Sequence, residues 1–333
     1  MDFGVFATFT LALVAIAILG LFLCVMFFNA STYPIIRKSD EEKRFYDPNS
    51  GVFEDFPNIS DEHSVDLSVV VPAYNEEQRL PPMLDEALEY LEDRQKKSGF
   101  SFEIIIVSDG STDRTVAVAH EYSRKHSAGK VRVLDLAPNR GKGGAVRLGV
   151  LSSRGAVILF ADADGATKFA DLGKLEAALQ NIVKDDYTKH PANVASAHAV
   201  VVGSRAHLEE ESLATRSWFR NLLMLGFHFI VRAFAVRTIR DTQCGFKLFT
   251  RSAARSLFSS IHVERWAFDV ELLYIAEKLF PGCLDEIPVN WTEIDGSKIV
   301  PVLSWVQMGR DVFLIWIKYL IGAWKIRAAL HED

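Results

Sequence analysis

Cysteine is scarce in this sequence, and its cysteines show no regular spacing. The 3 cysteines among 333 residues are Cys24, Cys244 and Cys283. Their separation argues against a disulfide framework or a cysteine zinc site and is typical of a reducing compartment. An excess of basic charge is also missing, because the formal net charge is -6 at pH 7, which argues against general nucleic-acid binding. Hydrophobic residues make up 49% of the chain, which is enough to build a sizeable core.

The most glycine-rich stretch lacks the common phosphate-binding patterns. The segment NRGKGGAVRLG (139–149) matches neither G-x-G-x-x-G nor G-x-x-x-x-G-K-[ST], which excludes dinucleotide-binding and P-loop interpretations for it. Its glycines instead predict a turn and the start of a helix close to a nucleotide. We expect Lys142 to reach a polar group of that ligand.

Charge is absent from residues 3–28. At about 1.5 Å per helical residue, this run is longer than the roughly 30 Å hydrocarbon core of a bilayer. A cleaved signal peptide would have a basic start, whereas Asp2 precedes this run, so we predict an uncleaved transmembrane signal-anchor over residues 1–30. The positive-inside rule then places the rest of the chain in the cytoplasm, because basic residues only follow the run, as Arg37, Lys38, Lys43 and Arg44.

The remaining chain divides by composition into a linker at 31–65 with one short helix, a main domain at 66–300 and a C-terminal segment at 301–333. In the main domain, short apolar runs alternate with helical patterns, which predicts an α/β domain with a parallel, doubly wound sheet. Strands are expected at 67–72, 102–108, 131–136 and 156–161, helices at 80–97, 111–126 and 142–153, and a further strand within 196–205.

Two later segments, 217–236 and 302–327, are apolar helices interrupted by charged residues. Each either lies in the membrane interface or packs as an ordinary core helix. The aromatic residues of the second segment favour membrane contact: Trp305, Trp316, Tyr319 and Trp324.

Two aspartates follow the apolar run 156–161. Asp162 and Asp164 are two residues apart and should therefore point to the same side, just past the carboxyl end of a strand, where open parallel sheets bind ligands. Two carboxylates this close repel each other, and a divalent cation such as Mg²⁺ would remove that repulsion. The alternative is a strand-to-turn segment that only caps the next helix.

Polar residues also end the first two predicted strands. Pro72, Tyr74 and Glu76 follow the first strand, and Asp109 follows the second. Since parallel strands end at a common edge, these residues should surround one site. An aromatic face with several carboxylates suits a nucleotide. The carboxylates would bind the N–H groups of the base and the ribose hydroxyls.

Seven motifs of this chain occur in the order found in family-2 glycosyltransferases: VVVPAYNEE, VSDGSTDRT, NRGKGGAVRLG, ADADGA, VVGSR, DTQCGFKLF and RWAFDVELL. The resemblance covers roughly residues 66–300 and the N-terminal anchor. It implies a GT-A (Rossmann-like) fold, a sugar-nucleotide donor, Mg²⁺ or Mn²⁺, and inversion at the anomeric carbon. The most similar branch implies UDP-glucose as donor and dolichyl phosphate as acceptor, at the cytoplasmic face of the endoplasmic reticulum membrane, for assembly of the N-glycan precursor.

The resemblance also implies roles for residues on the donor side. Pro72, Tyr74, Glu76 and Asp109 match the nucleoside pocket of the family. Asp162 matches its ribose and metal contact, and Asp164 matches its main metal ligand. In the mannosyl branch a glutamine two residues past the second aspartate also binds the metal. Ala166 stands there in this chain, which leaves open whether a third protein ligand exists, with Thr167 or water as the substitute.

On the acceptor side the resemblance implies a phosphate clamp. Arg205 and Arg220 match that clamp, with Arg216 as the substitute if Arg220 serves as an interfacial anchor instead. Arginine suits the task because its planar fork binds phosphate oxygens in pairs. An acceptor phosphate is already ionised near neutral pH, so no strong general base is needed. Lys298 either stabilises charge on the departing UDP or is a solvated loop charge.

RWAFDVELL contains two further candidates. Asp269 stands where processive relatives place a base, and we expect it to position a sugar hydroxyl or the acceptor loop, or else to cap a helix. Trp266 either packs against the glucose ring or belongs to the core.

The motifs leave one other donor open and disfavour three other functions. GDP-mannose as donor stays open, because purine and pyrimidine pockets differ in details that a sequence does not show. A processive synthase would have a Q-x-x-R-W motif, where DTQCGF stands instead. A non-catalytic, membrane-tethered sugar-nucleotide-binding protein is disfavoured because both aspartates of DAD and Glu76 are intact. A nucleotidyltransferase would have a glycine-rich basic loop after the first strand, whereas PAYNEEQRL is acidic.

Overall fold

The computed structural model describes residues 3–208, 226, 231–232, 236–294 and 303–327, with side chains from residue 14 in the first helix and from residue 307 in the last. Its helices are α1 (Phe3–Phe28), α2 (Leu80–Ser98), α3 (Thr115–His126), α4 (Lys142–Leu151), α5 (Leu172–Val183), α6 (Pro191–Ser196), α7 (Arg251–Phe258), α8 (Phe268–Leu279) and α9 (Leu303–Leu320). Its strands are β1 (Arg44–Asp47), β2 (Val52–Asp55), β3 (Val65–Ala73), β4 (Phe102–Asp109), β5 (Val131–Leu136), β6 (Gly155–Ala161), β7 (Val200–Ser204), β8 (Phe246–Thr250) and β9 (Leu284–Pro288).

The first half of the main domain alternates strand and helix as the sequence predicts. Strands β3 to β6 are parallel neighbours, in the order β5-β4-β3-β6. Helices cover both faces of these strands, so nearly every strand residue is buried and the apolar runs are continuous rather than alternating. The predicted bounds of these elements differ from the observed ones by a few residues at most, and β5 has the predicted bounds.

The second half corrects the predicted parallel sheet, because the central sheet is mixed. Among the described residues it has 7 strands in the order β5-β4-β3-β6-β8-β7-β9. Strand β8 is antiparallel to both β6 and β7, and Phe246 and Lys247 pair with Ala161 and Phe160. This arrangement brings the start of β8 directly beside the end of β6, where the two aspartates follow.

The predicted linker is more structured than expected. A short 3-10 helix (Glu41–Lys43) leads into an antiparallel hairpin of β1 and β2. The segment is attached to the main domain by Lys38, whose Nζ donates to Ser152 Oγ at 2.8 Å, and by Glu42, which accepts from Arg140 at 2.6 Å. The hairpin was missed because each strand has only 4 residues, too few for a clear alternating pattern.

Within the residues whose side chains are described, no helix is long and apolar enough to cross a membrane. The predicted anchor at 1–30 lies partly outside those residues, and most of the predicted helix at 217–236 does so as well. Helix α9 buries Met308, Val312 and Ile315 against the domain, while Phe313 and Leu320 are exposed.

Candidate active site

A cavity of about 940 Å³ opens at the carboxyl ends of β3, β4 and β6. The residues that the sequence analysis predicted for a nucleotide and metal site meet here, together with the predicted Arg205. The predicted residues on its wall are Pro72, Tyr74, Glu76, Asp109, Lys142, Asp162, Asp164 and Arg205. The shared edge of the parallel strands thus brings together residues that are far apart along the chain.

The aspartate pair lies just beyond β6. Asp162 donates its backbone N–H to the Gly245 carbonyl at 2.9 Å, which fixes the chain beside β8. The Asp162 carboxylate contacts Lys142 Nζ through both oxygens, at 2.7 and 3.0 Å. Asp164 accepts from the Ala166 N–H at 3.0 Å. Burial and the neighbouring charge of Asp162 raise the pKa of Asp164, so its negative charge calls for a cation.

Gly245 makes room for this carboxylate. A Cβ at Gly245 would lie 1.9 Å from Asp162 Oδ2, closer than two non-bonded atoms can approach. Sequence reasoning missed this residue, although it stands inside the motif DTQCGFKLF. A glycine is therefore required here by the Asp162 side chain, just beyond the neighbouring strand β6.

The two aspartates fit a divalent cation that arrives with a diphosphate. The described residues contain no group of three or more His, Cys, Asp or Glu side chains that could hold a metal. Mg²⁺ is usually bound by one or two carboxylates together with substrate phosphates, so a pair of aspartates in a cavity of nucleotide size meets its needs. Ala166 supplies no side-chain ligand, and Thr167 also lines the cavity.

Asp109 fixes the glycine-rich loop. Its two carboxylate oxygens accept the backbone N–H groups of Arg140 and Gly141 at 2.7 and 2.9 Å. Burial raises the pKa of Asp109, although these hydrogen bonds oppose that effect. Gly141 has φ 83°, and a Cβ there would lie 2.7 Å from the Glu264 carbonyl oxygen. The glycines thus allow the loop and the start of α4 to pack closely against Glu264. The predicted turn and helix start are present, and their closeness to a nucleotide stays a prediction.

The loop after β3 carries a second ion pair. Glu76 receives two hydrogen bonds from Arg79, both at 2.6 Å, and its backbone N–H donates to Thr115 Oγ1 at 2.7 Å. Tyr74 keeps 40% of its surface exposed within the cavity. Arg79 was not predicted, yet it faces the aspartates. Burial lowers its pKa, and Glu76 and both aspartates outweigh that effect and raise it.

Asp269 does not line the cavity, which corrects the prediction that it contacts a substrate. Its side chain is 2% exposed and accepts from Lys247 Nζ at 2.6 Å. Lys247 is fully buried and also donates to the Cys244 carbonyl at 2.6 Å. Burial raises the pKa of Asp269, although Lys247 and Lys142 oppose that effect. Asp269 is therefore part of a buried ion pair beneath the site.

The opposite wall of the cavity is cationic and apolar. Arg205 forms a two-point contact with Asp241, at 2.8 and 2.9 Å, and its guanidinium lies 5.5 Å from the centre of the Trp291 ring. Arg237 and Arg240 also face the cavity. Its apolar side chains on this side are Leu208, Val231, Val236, Ile239 and Met308.

Carboxylates hold the backbone of this wall. Glu277 of α8 accepts the Arg237 and Thr238 N–H groups at 2.9 and 2.7 Å. Glu286 of β9 accepts the Arg240 and Asp241 N–H groups, both at 2.8 Å. These contacts fix the loop that carries the arginines.

Some predicted residues are not placed by the structure. Arg220, its substitute Arg216 and Lys298 lie outside the described residues. Trp266 does line the cavity, close to Lys142, whose Nζ is 5.8 Å from the centre of its ring. The role of Trp266 beside a sugar therefore stays a prediction.

Comparisons with known proteins agree with this geometry. A model of the family "Glycosyl transferase family 2" matches residues 68–258. Dolichyl-phosphate beta-glucosyltransferases are 57% identical in Drosophila melanogaster, over 97% of this chain and 95% of that one, and 55% identical in Homo sapiens, over 95% and 94%. The enzyme of that name in Saccharomyces cerevisiae is 40% identical over 96% and 95%.

Solved structures show the same fold. Glucosyl-3-phosphoglycerate synthase from Mycobacterium tuberculosis, solved in complex with UDP, matches with a TM-score of 0.51 and 16% identity, over 78% of this chain and 81% of that one. At this identity the similarity concerns the fold alone, a GT-A-like α/β architecture around a mixed sheet.

Proposed function

The chain belongs to glycosyl transferase family 2 and, within it, to the dolichyl-phosphate beta-glucosyltransferases, and we propose that it transfers glucose from UDP-glucose to dolichyl phosphate. The reaction inverts the anomeric carbon and gives dolichyl β-D-glucosyl phosphate for N-glycan precursor assembly. The observation that carries this proposal is the cavity itself. A pair of aspartates faces a wall of arginines and apolar side chains, as the joining of a sugar diphosphate to a lipid phosphate requires.

The donor is bound by the side of the cavity that carries the aspartates. Tyr74 and Pro72 offer a face for the base, and Glu76 and Asp109 lie at the strand ends around it. Asp162 and Asp164 would hold Mg²⁺ or Mn²⁺, and the bound metal supplies charge neutralisation for the departing UDP. Lys142 adds a fixed cation at the same place.

The acceptor is bound by the opposite wall. The phosphate of the acceptor is its own nucleophile and needs orientation rather than deprotonation near neutral pH. Arg205 is held by Asp241 in one orientation, with its guanidinium on the cavity wall. The apolar side chains Val236, Ile239 and Met308 suit the first units of an isoprenoid chain. Since Asp269 is buried in an ion pair, it takes no part as a base.

The same proposal includes the place where the enzyme works. Residues 1–30 anchor the chain in the endoplasmic reticulum membrane, with the main domain in the cytoplasm. This is supported by the uncharged run 3–28 and by the exposed apolar side chains of the second half of α1, such as Phe22 and Phe28. Glycosylation acceptor sequences occur at Asn58 and Asn290, and both should stay bare. A glycosidase-sensitive mass shift at either residue would overturn this orientation.

A transfer assay tests the reaction. Labelled UDP-glucose and GDP-mannose are offered separately to dolichyl phosphate with the native chain in detergent-solubilised membranes. We expect glucose in an acid-labile lipid, no product with the uncharged lipid dolichol, and no product when the divalent metal is chelated. Mannose transfer would overturn the donor assignment, and absence of transfer from both donors would overturn the activity.

A further inference from the structure

Lys142 neutralises one of the two aspartates at the site. Its Nζ contacts both oxygens of Asp162, at 2.7 and 3.0 Å, and lies 5.3 Å from the centre of the Phe160 ring. Its side chain is only 18% exposed. A divalent ion that binds through Asp162 needs the same oxygens. The ammonium group therefore stands where it opposes that ion by charge and by space.

The backbone of Lys142 is held in place by close packing. Lys142 is the first residue of α4, and glycines on both sides of it pack against the segment 264–268. A Cβ at Gly141 would lie 2.7 Å from the Glu264 carbonyl oxygen, and one at Gly143 would lie 2.5 Å from Phe268 Cβ. Any exchange of partners must therefore be made by the flexible side chain of Lys142, which has four methylene groups.

The next carboxylate beneath the site is already paired. Asp269 binds Lys247 at 2.6 Å, and both side chains are almost fully buried. Separating that pair would leave a charge buried without a partner, which is strongly unfavourable. Asp164 also attracts Lys142, but it would bind the same metal as Asp162. If Lys142 leaves Asp162 when the metal binds, its new partner is therefore an anion that enters the cavity. The diphosphate of the donor is such an anion, and it would be bound at the same aspartates.

We propose that Lys142 is a tethered cation that competes with the divalent metal for Asp162 and moves its contact to the donor diphosphate when metal and nucleotide bind together. The inference rests on the proposed function, because it presumes a metal and a nucleoside diphosphate. If so, metal and nucleotide bind cooperatively. The metal alone must displace the ammonium group of Lys142, whereas UDP bound with the metal gives that group a new partner. The site would thus avoid holding metal before the donor arrives.

Mn²⁺ binding to the purified full-length chain in detergent tests this inference. Free Mn²⁺ is measured by electron paramagnetic resonance, with and without UDP, for the native chain and for Lys142→Gln. We expect Lys142→Gln to bind Mn²⁺ alone about tenfold more tightly and to lose about tenfold in the cooperativity between Mn²⁺ and UDP. UDP binding at saturating Mn²⁺ should become weaker.

Two further variants control for charge and for folding. Lys174→Gln removes the same charge from an ion pair with Asp171 outside the cavity, and it should leave Mn²⁺ affinity unchanged. Lys142→Arg keeps the cation and should bind Mn²⁺ alone as weakly as the native chain does.

Two other results would overturn the inference, and a third would overturn the metal requirement itself. Weaker Mn²⁺ binding by Lys142→Gln, both alone and with UDP, would show that Lys142 only positions Asp162 and would overturn the inference. Unchanged Mn²⁺ affinity would overturn it as well. Absence of Mn²⁺ binding by the native chain, with UDP present, would instead overturn the metal requirement in the proposed function.

Discussion

The two walls of the cavity are built by opposite means. We define the donor wall as Glu76, Asp109, Lys142, Asp162 and Asp164. It lies where parallel strands end and α4 begins, and it is packed against glycines that leave no room for a methyl group. The acceptor wall combines arginines with apolar side chains, and most of it lies on a loop whose backbone N–H groups are held by carboxylates from α8 and β9.

We define the acceptor wall as Arg205, Val236, Arg237, Ile239 and Arg240. On its fixed backbone Val236 and Ile239 are buried and Arg205 is half-buried, whereas Arg237 and Arg240 are exposed. The difference indicates that the donor-side side chains must hold exact positions, because the metal and the leaving group meet there. The acceptor side needs charge and an apolar surface more than exact distances. Substitutions should therefore have larger effects on the donor wall than on the acceptor wall.

The largest effect is expected from Asp164→Asn on the donor wall. Transfer should fall about a thousandfold, because the metal that neutralises the departing UDP loses a charged ligand. The fold should be kept: burial and Asp162 raise the pKa of Asp164, so its ionised form is unfavourable in the folded chain and a neutral residue is tolerated. Labelled-glucose transfer and a thermal unfolding curve measure both quantities.

Asp93→Asn is the matched control for that variant, since Asp93 pairs with Lys97 on the exposed face of α2. It should leave transfer unchanged. Residual transfer by Asp164→Asn above one tenth of the native rate would show that Asp164 is dispensable as a ligand. The donor wall would then be no more sensitive to substitution than the acceptor wall.

Gly245→Ala should have the second largest effect, although it adds only one methyl group. The new Cβ would lie 1.9 Å from Asp162 Oδ2, so the carboxylate must move away from Lys142 and the metal position. We expect transfer to fall about a hundredfold through misplacement of a catalytic group. The measurement is transfer as a function of Mn²⁺ concentration, where the half-saturating concentration should rise.

Gly173→Ala provides the comparison for that methyl group, because a Cβ at Gly173 meets only the Tyr90 hydroxyl at an ordinary 3.6 Å. Native activity is expected for this variant. A Gly245→Ala chain with an unchanged Mn²⁺ dependence would contradict the tight packing that we assign to the donor wall.

Asp241→Asn should weaken acceptor binding and leave donor binding unchanged. It removes the charge that orients Arg205, so the KM for dolichyl phosphate should rise about tenfold while UDP affinity stays the same. The free energy of unfolding should fall by about 2 kcal/mol, because Arg205 is partly buried and loses its charged partner. An equal loss of UDP affinity would show that Arg205 also serves the donor.

The pH dependence of that stability difference has a defined sign. Burial would raise the pKa of Asp241, but the charge and hydrogen bonds of Arg205 outweigh it and lower this pKa from 3.8. A lowered pKa stabilises the folded chain above the unfolded value and loses that effect as pH falls through the folded value. Urea unfolding should therefore show a constant difference between native chain and Asp241→Asn from pH 7 to about 4, shrinking below that. A difference that grows below pH 4 would contradict the ion pair.

The walls also differ in how far the sequence reveals them. The donor wall could be predicted because alternating strands and helices place the residues after 72, 109 and 161 at one edge. Of the acceptor wall, only Arg205 is predicted, from the motif VVGSR. The loop that carries Arg237 and Arg240 could not be predicted, because Glu277 and Glu286 reach backbone groups 40 and 46 residues away, and a backbone contact leaves no local pattern. Likewise, Lys247 stands in the apolar run FKLFT, and nothing near it in sequence indicates its partner Asp269.

The smallest effect is expected from Arg237→Gln, on the rim of the acceptor wall. Arg237 is exposed, so solvent screens its charge, and the KM for dolichyl phosphate should rise only about threefold with an unchanged kcat. Added salt should erase the difference, because it screens exposed charges first. Arg124→Gln, which removes an exposed arginine of α3 away from the cavity, should not change the KM. If instead kcat fell and the KM did not change, Arg237 would act in the transition state, and the acceptor wall would demand the same exact placement as the donor wall.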